Sequence, residues 1–409
     1  MTNTSSYKMS KKKVVLLFLI LFSLKCLAQG GYFVAKGKIV EKGSGIPLSQ
    51  SYICIPTTGY GTAPNLEGDF IFQFPNINLD SQVVVALIGY ESVKFTAKEL
   101  KLDSNLIFLE KKPLFNASFG LSDVRILIKS AIDSIPVNYP NSPTYQNGFY
   151  FEQINLPTVG AIKINEGIFR VERFPQEKEK LEKVKLLKGK RMEWIGQTAK
   201  IDGWGFQNGS DLVCKSIETT LPEFLQKKRM SQFHFRLDSL MTVFDGLPLI
   251  IVHFWPINNR LKGGKKGTIY LDPETKAIVR IEYSLTETGL KDLINSNSGA
   301  VSIEGKGGNF YTQYRLFNKK WRLQESKVVF DTHFEERLDK KFKIDATIIM
   351  RYVSFENLPL LKSNIFPTEI LKSTNNFTPS RSVSTEYWAP YSYLKSTNDA
   401  LKLASILTK

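Results

Sequence analysis

The stretch Gly267-Thr268-Ile269-Tyr270-Leu271-Asp272-Pro273-Glu274-Thr275-Lys276-Ala277-Ile278-Val279-Arg280-Ile281-Glu282-Tyr283-Ser284-Leu285 decides the fold class of the second half of this chain. Two runs rich in β-branched and aromatic residues flank an Asp-Pro-Glu-Thr-Lys turn. That is the pattern of a strand, a proline turn and a returning strand. In the returning strand Val279, Ile281 and Tyr283 alternate with Arg280, Glu282 and Ser284, so one face is apolar and the other polar. The same period of two recurs at Ile344, Ala346, Ile348 and Met350. Leu249 to Trp255 is an apolar strand closed by Pro256, and further strands are expected at Phe310 to Leu316 and Trp321 to Phe330. From Gly148 to about residue 360 the expectation is one large, curved antiparallel sheet. Its ligand-face candidates are Tyr270, Val279, Ile281 and Tyr283.

Working towards the N-terminus, Ser122 is placed to cap a helix running to Ser134. Val124, Leu127, Ile128, Ala131, Ile132 and Ile135 give it one apolar face, and Pro136 ends it. Val137 to Asn147, with its prolines and asparagines, reads as an extended linker or covering loop. Residues 32–110 show short strands between glycine turns: Phe70, Phe72 and Phe74 line one face of a strand, and Val83 to Leu87 is apolar enough to be buried on both sides. Regular short strands of this kind predict a β-sandwich. The overall expectation is mainly β, divided as residues 1–28 (leader), 29–111 (sandwich), 112–147 (helix and linker), 148–360 (antiparallel domain) and 361–409 (C-terminal tail).

Five lysines and no acid occupy the first 28 residues, with an apolar run from Val14 to Leu24 and then Cys26-Leu27-Ala28-Gln29. This is the layout of a secretory signal, with cleavage expected between Ala28 and Gln29. Lys25 interrupts the apolar run before it could span a bilayer. Removing those five lysines from the formal +16 leaves +11. The excess is interspersed with acids, which argues against a nucleic-acid-binding stripe and leaves room for peripheral contact with an anionic membrane surface. Cys54 and Cys214 lie far apart and are expected to be free thiols.

The pieces Lys36-Gly37-Lys38-Ile39-Val40, Gly45-Ile46-Pro47-Leu48, Gly61-Thr62, Leu66-Glu67-Gly68-Asp69-Phe70 and Leu87-Ile88-Gly89-Tyr90 follow in that order. Together they resemble the carboxypeptidase regulatory-like domain, a transthyretin-type sandwich. The resemblance departs at Ser49-Gln50-Ser51, where that family carries a Gly-Ala pair. It implies docking or interaction and no peptidase activity, since the sandwich of that family holds no zinc ligands. The second half, through Ala131 to Pro140, Val184 to Lys190, the 267–280 hairpin and Tyr314-Arg315 before Lys320-Trp321, is similar to exported proteins of Gram-negative, Bacteroidota-type bacteria. The hairpin also resembles a unit of the lipoprotein-carrier half-barrel, which implies a concave sheet that shields acyl chains.

Catalytic patterns are sparse. His333-Phe334-Glu335-Glu336 contains His-x-x-Glu, but no third ligand follows, and residues three apart on a strand point to opposite faces. His253 sits in an apolar strand and reads as a half-buried, hydrogen-bonded side chain. No Gly-x-Ser-x-Gly elbow or phosphate loop is present. Residues 177–191, dense in Lys and Glu, read as a solvated helix or a long hairpin. Ser373 to Ser384 reads as a loop, and Tyr387-Trp388-Ala389-Pro390-Tyr391 as an aromatic anchor that docks back on the second domain.

The expectation is a non-catalytic binding protein, periplasmic or associated with the outer membrane, needing no cofactor or metal. It would hold a lipid, an acylated protein or another envelope partner. The alternatives are a scaffold subunit of an envelope complex and a hydrolase with an unrecognised site.

Overall fold

The computed structural model describes residues 31–116, 123–175, 182–198, 209–214, 216–294, 301–336, 343–371, 380–381, 388 and 393–407. The expected signal and its cleavage point at Ala28 and Gln29 lie outside these residues, as does the Ser122 cap. The chain is mainly β, with a small two-sheet module followed by a large open sheet.

The first module holds β1 (Tyr32–Glu41), β2 (Tyr52–Cys54), β3 (Gly61–Thr62), β4 (Asp69–Pro75), β5 (Gln82–Ala86), β6 (Val93–Thr96) and β7 (Asn105–Leu109). One sheet has the order β4-β1-β7 and the other β3-β2-β5-β6. Phe70, Phe72 and Phe74 are fully buried between them with Ile39, Ile53, Val83 and Val85. The continuous apolar run at β5 has a physical reason. Val83 and Val85 fill the module's own core, whereas Val84 and Ala86, with Tyr52 and Cys54, pack into the core of the large domain. The second sheet is therefore buried on both faces, and alternation is lost there.

The large sheet is built from β8 (Phe115–Asn116), β9 (Thr144–Leu156), β10 (Gly160–Arg173), β11 (Glu182–Glu193), β12 (Phe233–Phe244), β13 (Leu247–Pro256), β14 (Lys265–Leu271), β15 (Ile278–Leu285), β16 (Val301–Phe317), β17 (Lys320–Glu336), β18 (Lys343–Pro359) and β19 (Ser380–Arg381). Its order is β19-β11-β10-β9-β18-β17-β16-β15-β14-β13-β12-β8. Neighbours are antiparallel except for β19, which pairs parallel to β11.

One expectation is corrected here and one alternative is decided. The linker ends early: residues 135–138 form a short helical turn, and β9 starts at Thr144, where Gln146 donates to the Leu323 carbonyl at 2.8 Å. Polar residues that looked like linker are buried ladder residues. The described part of the Lys/Glu-rich stretch is β11, the outer arm of a hairpin with β10, and residues 177–181 lie outside the description. Cross-strand register places Lys190 opposite Glu166, 3.6 Å apart and buried, so of the two readings, solvated helix or long hairpin, this stretch takes the hairpin, with charges paired across the sheet.

Both faces of the sheet are covered by the chain itself. On one face lie the helix Val124–Asp133, capped by Asp123, and the segment around Phe224 and Leu225. The other face carries the first module and, over β10 and β11, the C-terminal helix Asn398–Leu407. Trp388 is 2% exposed and meets Phe149 edge-on at 5.2 Å, so this part of the expected aromatic anchor is docked on the sheet. Cys54 and Cys214 are free. No helix among the described residues is long and apolar enough to cross a membrane.

The decisive turn is as its sequence predicts. Asp272 accepts from the Lys276 and Glu274 amides, both at 3.0 Å, and Lys276 takes a left-handed backbone with φ of 63°. A side chain is disfavoured in that conformation by roughly 1 kcal/mol. Lys276→Gly is therefore expected to stabilise the protein by up to about 1 kcal/mol. Urea denaturation checks this, and a loss of stability would contradict it.

Candidate functional site

The face of the hairpin named in the sequence forms a wall of a cavity of about 340 Å³. Ile281 and Tyr283 on β15, with Phe310, Thr312 and Tyr314 on β16, make the floor. Cross-strand pairing sets Ile281 beside Thr312 and Tyr283 beside Phe310, and the last two rings stack at 4.6 Å, 10° from parallel. The roof is the irregular segment from Ile217 to Gln226, which contributes Leu221 and Pro222.

This roof is fixed by specific contacts. The Ile217 amide donates to the Tyr314 hydroxyl at 2.8 Å, and the Gln226 side chain donates to the Leu221 carbonyl at 2.9 Å. Phe224 is buried and stacks on Phe254 at 4.0 Å. Charge sits at the rim, where Glu223 lies 3.1 Å from Lys265 and 2.9 Å from Arg229. The site therefore joins an apolar interior to a charged edge. Burial, and then the Glu223 carboxylate, push the Tyr283 phenol above its ordinary range, so it is neutral at physiological pH. A volume of 340 Å³ lies at the small end of ligand pockets.

The four sequence candidates separate. Ile281 and Tyr283 line the cavity. Val279 is fully buried within the core of the same domain and is not among the lining residues. Tyr270 is paired with Arg280 in the ladder and shares the opposite face with it. A register irregularity between Tyr270 and Leu271 disturbs simple counting along this hairpin. Sequence reasoning missed the roof, which has neither strand nor helix periodicity. It also missed Phe310 as a partner of Tyr283, because that pairing depends on the register of β16.

The opposite face of the same strands is polar and receives the first module. Arg351 on β18, 2% exposed, donates to the Pro64 carbonyl at 2.6 Å, to the Ser49 carbonyl at 2.8 Å and to Glu325 at 2.6 Å. Glu325 also accepts from the Tyr311 hydroxyl. Arg280 reaches Gln50 of the module at 2.7 Å, and Arg315 donates to the Gly59 carbonyl. The Ser49-Gln50-Ser51 departure noted in the sequence is thus a docking segment.

The histidines singled out earlier pair with carboxylates. His253 lies 2.9 Å from Asp238 and 3.2 Å from the Thr268 hydroxyl, and its hydrogen bond, followed by that of the Leu240 amide, holds the Asp238 carboxyl below its ordinary range. His333 lies 2.7 Å from Asp345.

No family model matches the chain, and no curated protein matches it in sequence. Solved structures give distant likenesses. A structure described as an outer membrane lipoprotein-sorting protein domain from Vibrio parahaemolyticus shares 9% identity over 60% of this chain and 96% of its own, with a TM-score of 0.26. A DUF1329 family protein from Desulfovibrio piger ATCC 29098 gives 9% identity over 59% and 95%, also at 0.26. A membrane-associated protein of unknown function from Bacteroides fragilis NCTC 9343 gives 10% over 80% and 98%, at 0.15. At these TM-scores the likenesses carry no functional conclusion. The resemblance to the regulatory-like sandwich rests on the residues quoted for it.

Proposed function

We propose that this is an exported binding protein of the bacterial envelope, without a catalytic role, that holds an acyl chain of a lipid or acylated protein between the 217–226 segment and strands β15 and β16. The observation that carries this reading is the cavity itself. Its interior is built from Ile281, Tyr283, Phe310, Leu221 and Pro222, and its rim carries the Glu223–Lys265 pair. An amphiphile matches that division, with its chain inside and its polar end at the rim. At about 30 Å³ for each water-sized group, the space takes roughly eleven such groups, which is a segment of one chain and not a whole lipid. The secretory layout of the first 28 residues supports the location in the envelope.

The test is native mass spectrometry of the protein purified gently from its own envelope, followed by lipid extraction. Added mass that resolves into an acyl-bearing species is expected. Thr312 lies on the cavity floor, and Thr312→Phe fills the space from a half-buried position. That variant is expected to lose the bound species while its melting temperature stays within a few degrees of the parent. A bare chain in both proteins, or a complex with another protein only, would overturn the acyl-chain reading in favour of a scaffold.

A further inference from the structure

A second cavity, of about 440 Å³, opens on the opposite, polar face at the seam with the first module. Gln50 of the module lines it, with Lys266, Arg280, Glu282, Asn309 and Lys327 of the sheet. The single carboxylate among these is committed: Glu282 is ion-paired with Arg280. Arg280 is itself occupied, donating to Gln313 at 2.9 Å and Gln50 at 2.7 Å and lying 4.4 Å over the Tyr311 ring.

The two lysines differ from it. Among the described residues, neither Lys266 nor Lys327 has a hydrogen-bond or ion-pair partner. Glu325, two residues from Lys327 on the same strand, is engaged by Arg351 and Tyr311. Lys327 is mostly buried, and an ammonium withdrawn from water without a counter-ion is costly. The groups facing it are cationic on balance: Arg351 across the ladder, Arg280 and Lys266, against Glu325 and Glu282, each already paired. A cavity that presents one mostly buried and one exposed ammonium group, neither paired among the described residues, beside amides and hydroxyls suits a hydroxylated anion.

We propose that this seam cavity binds a small acidic saccharide, such as a uronate, with its carboxylate at Lys327 and Lys266 and its hydroxyls on Gln50, Glu282 and Asn309. The site opens on the polar face and is argued from residues that do not line the acyl-chain cavity, though Tyr283 and Phe310 border both.

Isothermal titration of the full mature protein at low salt tests this, with glucuronate, neutral glucose and inorganic phosphate as probes. Glucuronate is expected to bind at least tenfold more tightly than glucose. Lys327→Met, whose circular dichroism and melting confirm folding, is expected to weaken glucuronate at least tenfold, and Lys266→Ala less. Burial and then Arg351 bring the Lys327 amine down to about 8. Glucuronate affinity is therefore expected to fall at least tenfold between pH 7 and pH 9.5, where ordinary surface lysines are still charged. Equal binding by Lys327→Met, a pH-independent affinity, or no heat with glucuronate would overturn the proposal. Phosphate binding as tightly as glucuronate would overturn its saccharide half.

Discussion

Replacing Arg351 by Ala is expected to cost about 3–5 kcal/mol of stability, the typical loss when one partner of a buried ion pair is removed. The guanidinium does three things at once. It neutralises Glu325, which is 1% exposed, and it holds the Pro64 and Ser49 carbonyls of the first module. In its absence Glu325 loses its guanidinium partner and keeps only the Tyr311 hydroxyl as a hydrogen-bond donor, and two carbonyls at the seam lose their donor. Urea denaturation gives the magnitude. Limited proteolysis gives the second readout: the connection between the module and the large sheet is expected to be cut faster in Arg351→Ala. The double substitution Arg351→Met with Glu325→Leu separates pair from packing. It is expected to recover most of the ion-pair loss while leaving the seam carbonyls unserved. A loss under about 1 kcal/mol in Arg351→Ala would show that the seam does not depend on this pair.

The second large effect has the opposite sign and concerns the residue directly across the ladder. Lys327→Met is expected to stabilise the protein, by roughly 2 kcal/mol near neutral pH. The folded-state amine titrates at about 8, against its ordinary 10.5. A shift of that size corresponds to about 3 kcal/mol, reduced here because the side chain is not completely buried. The sign follows from proton binding. Between pH 8 and pH 10.5 the unfolded chain binds the lysine proton and the folded chain does not, so folding becomes more favourable as pH rises through that window. Below pH 8 the penalty is present in full. The parent protein is therefore expected to gain on Lys327→Met between pH 7 and pH 9.5, recovering somewhat more than half of the difference, with the remainder closing only as pH passes 10.5. Denaturation midpoints at the two pH values measure this, and a constant difference would contradict the buried-amine argument. Stability gained by removing a group in a cavity is the usual sign that the group is kept for binding.

The sequence was most legible where one face of a strand is buried and the other is not. Phe70, Phe72 and Phe74, or Ile344, Ala346, Ile348 and Met350, are read directly from a period of two. The 267–285 hairpin was equally clear, because Asp272, Pro273 and Lys276 supply turn chemistry between two apolar runs. Legibility failed where polar residues are buried. Gln146 and Asn147 looked like linker, but Gln146 is held by Leu323, Asn357 and Arg173 inside the sheet. Lys190 and Arg351 carry no local sign of pairing, and only the register sets each beside a carboxylate. Such pairings join residues remote in sequence, and no local pattern records them. Two of the five floor residues, Ile281 and Tyr283, were visible for this reason. The roof that turns this wall into a cavity was not.

The order of strands in the large sheet also governs when it can be completed. β9, near the start of the domain, has β18, near its end, as one of its two neighbours, and everything from β10 to β17 lies between them in the chain. The hairpins β9–β10, β14–β15 and β16–β17 form from local contacts and can assemble early. The seam between β9 and β18 requires closure of nearly the whole domain and belongs to the slow, high-contact-order part of folding. Until β18 arrives, one edge of β9 stays unpaired, with Phe149 and Phe151 uncovered. A partly synthesised chain would therefore present an adhesive strand edge, and its yield should depend on a holding chaperone until the last third of the sequence has emerged.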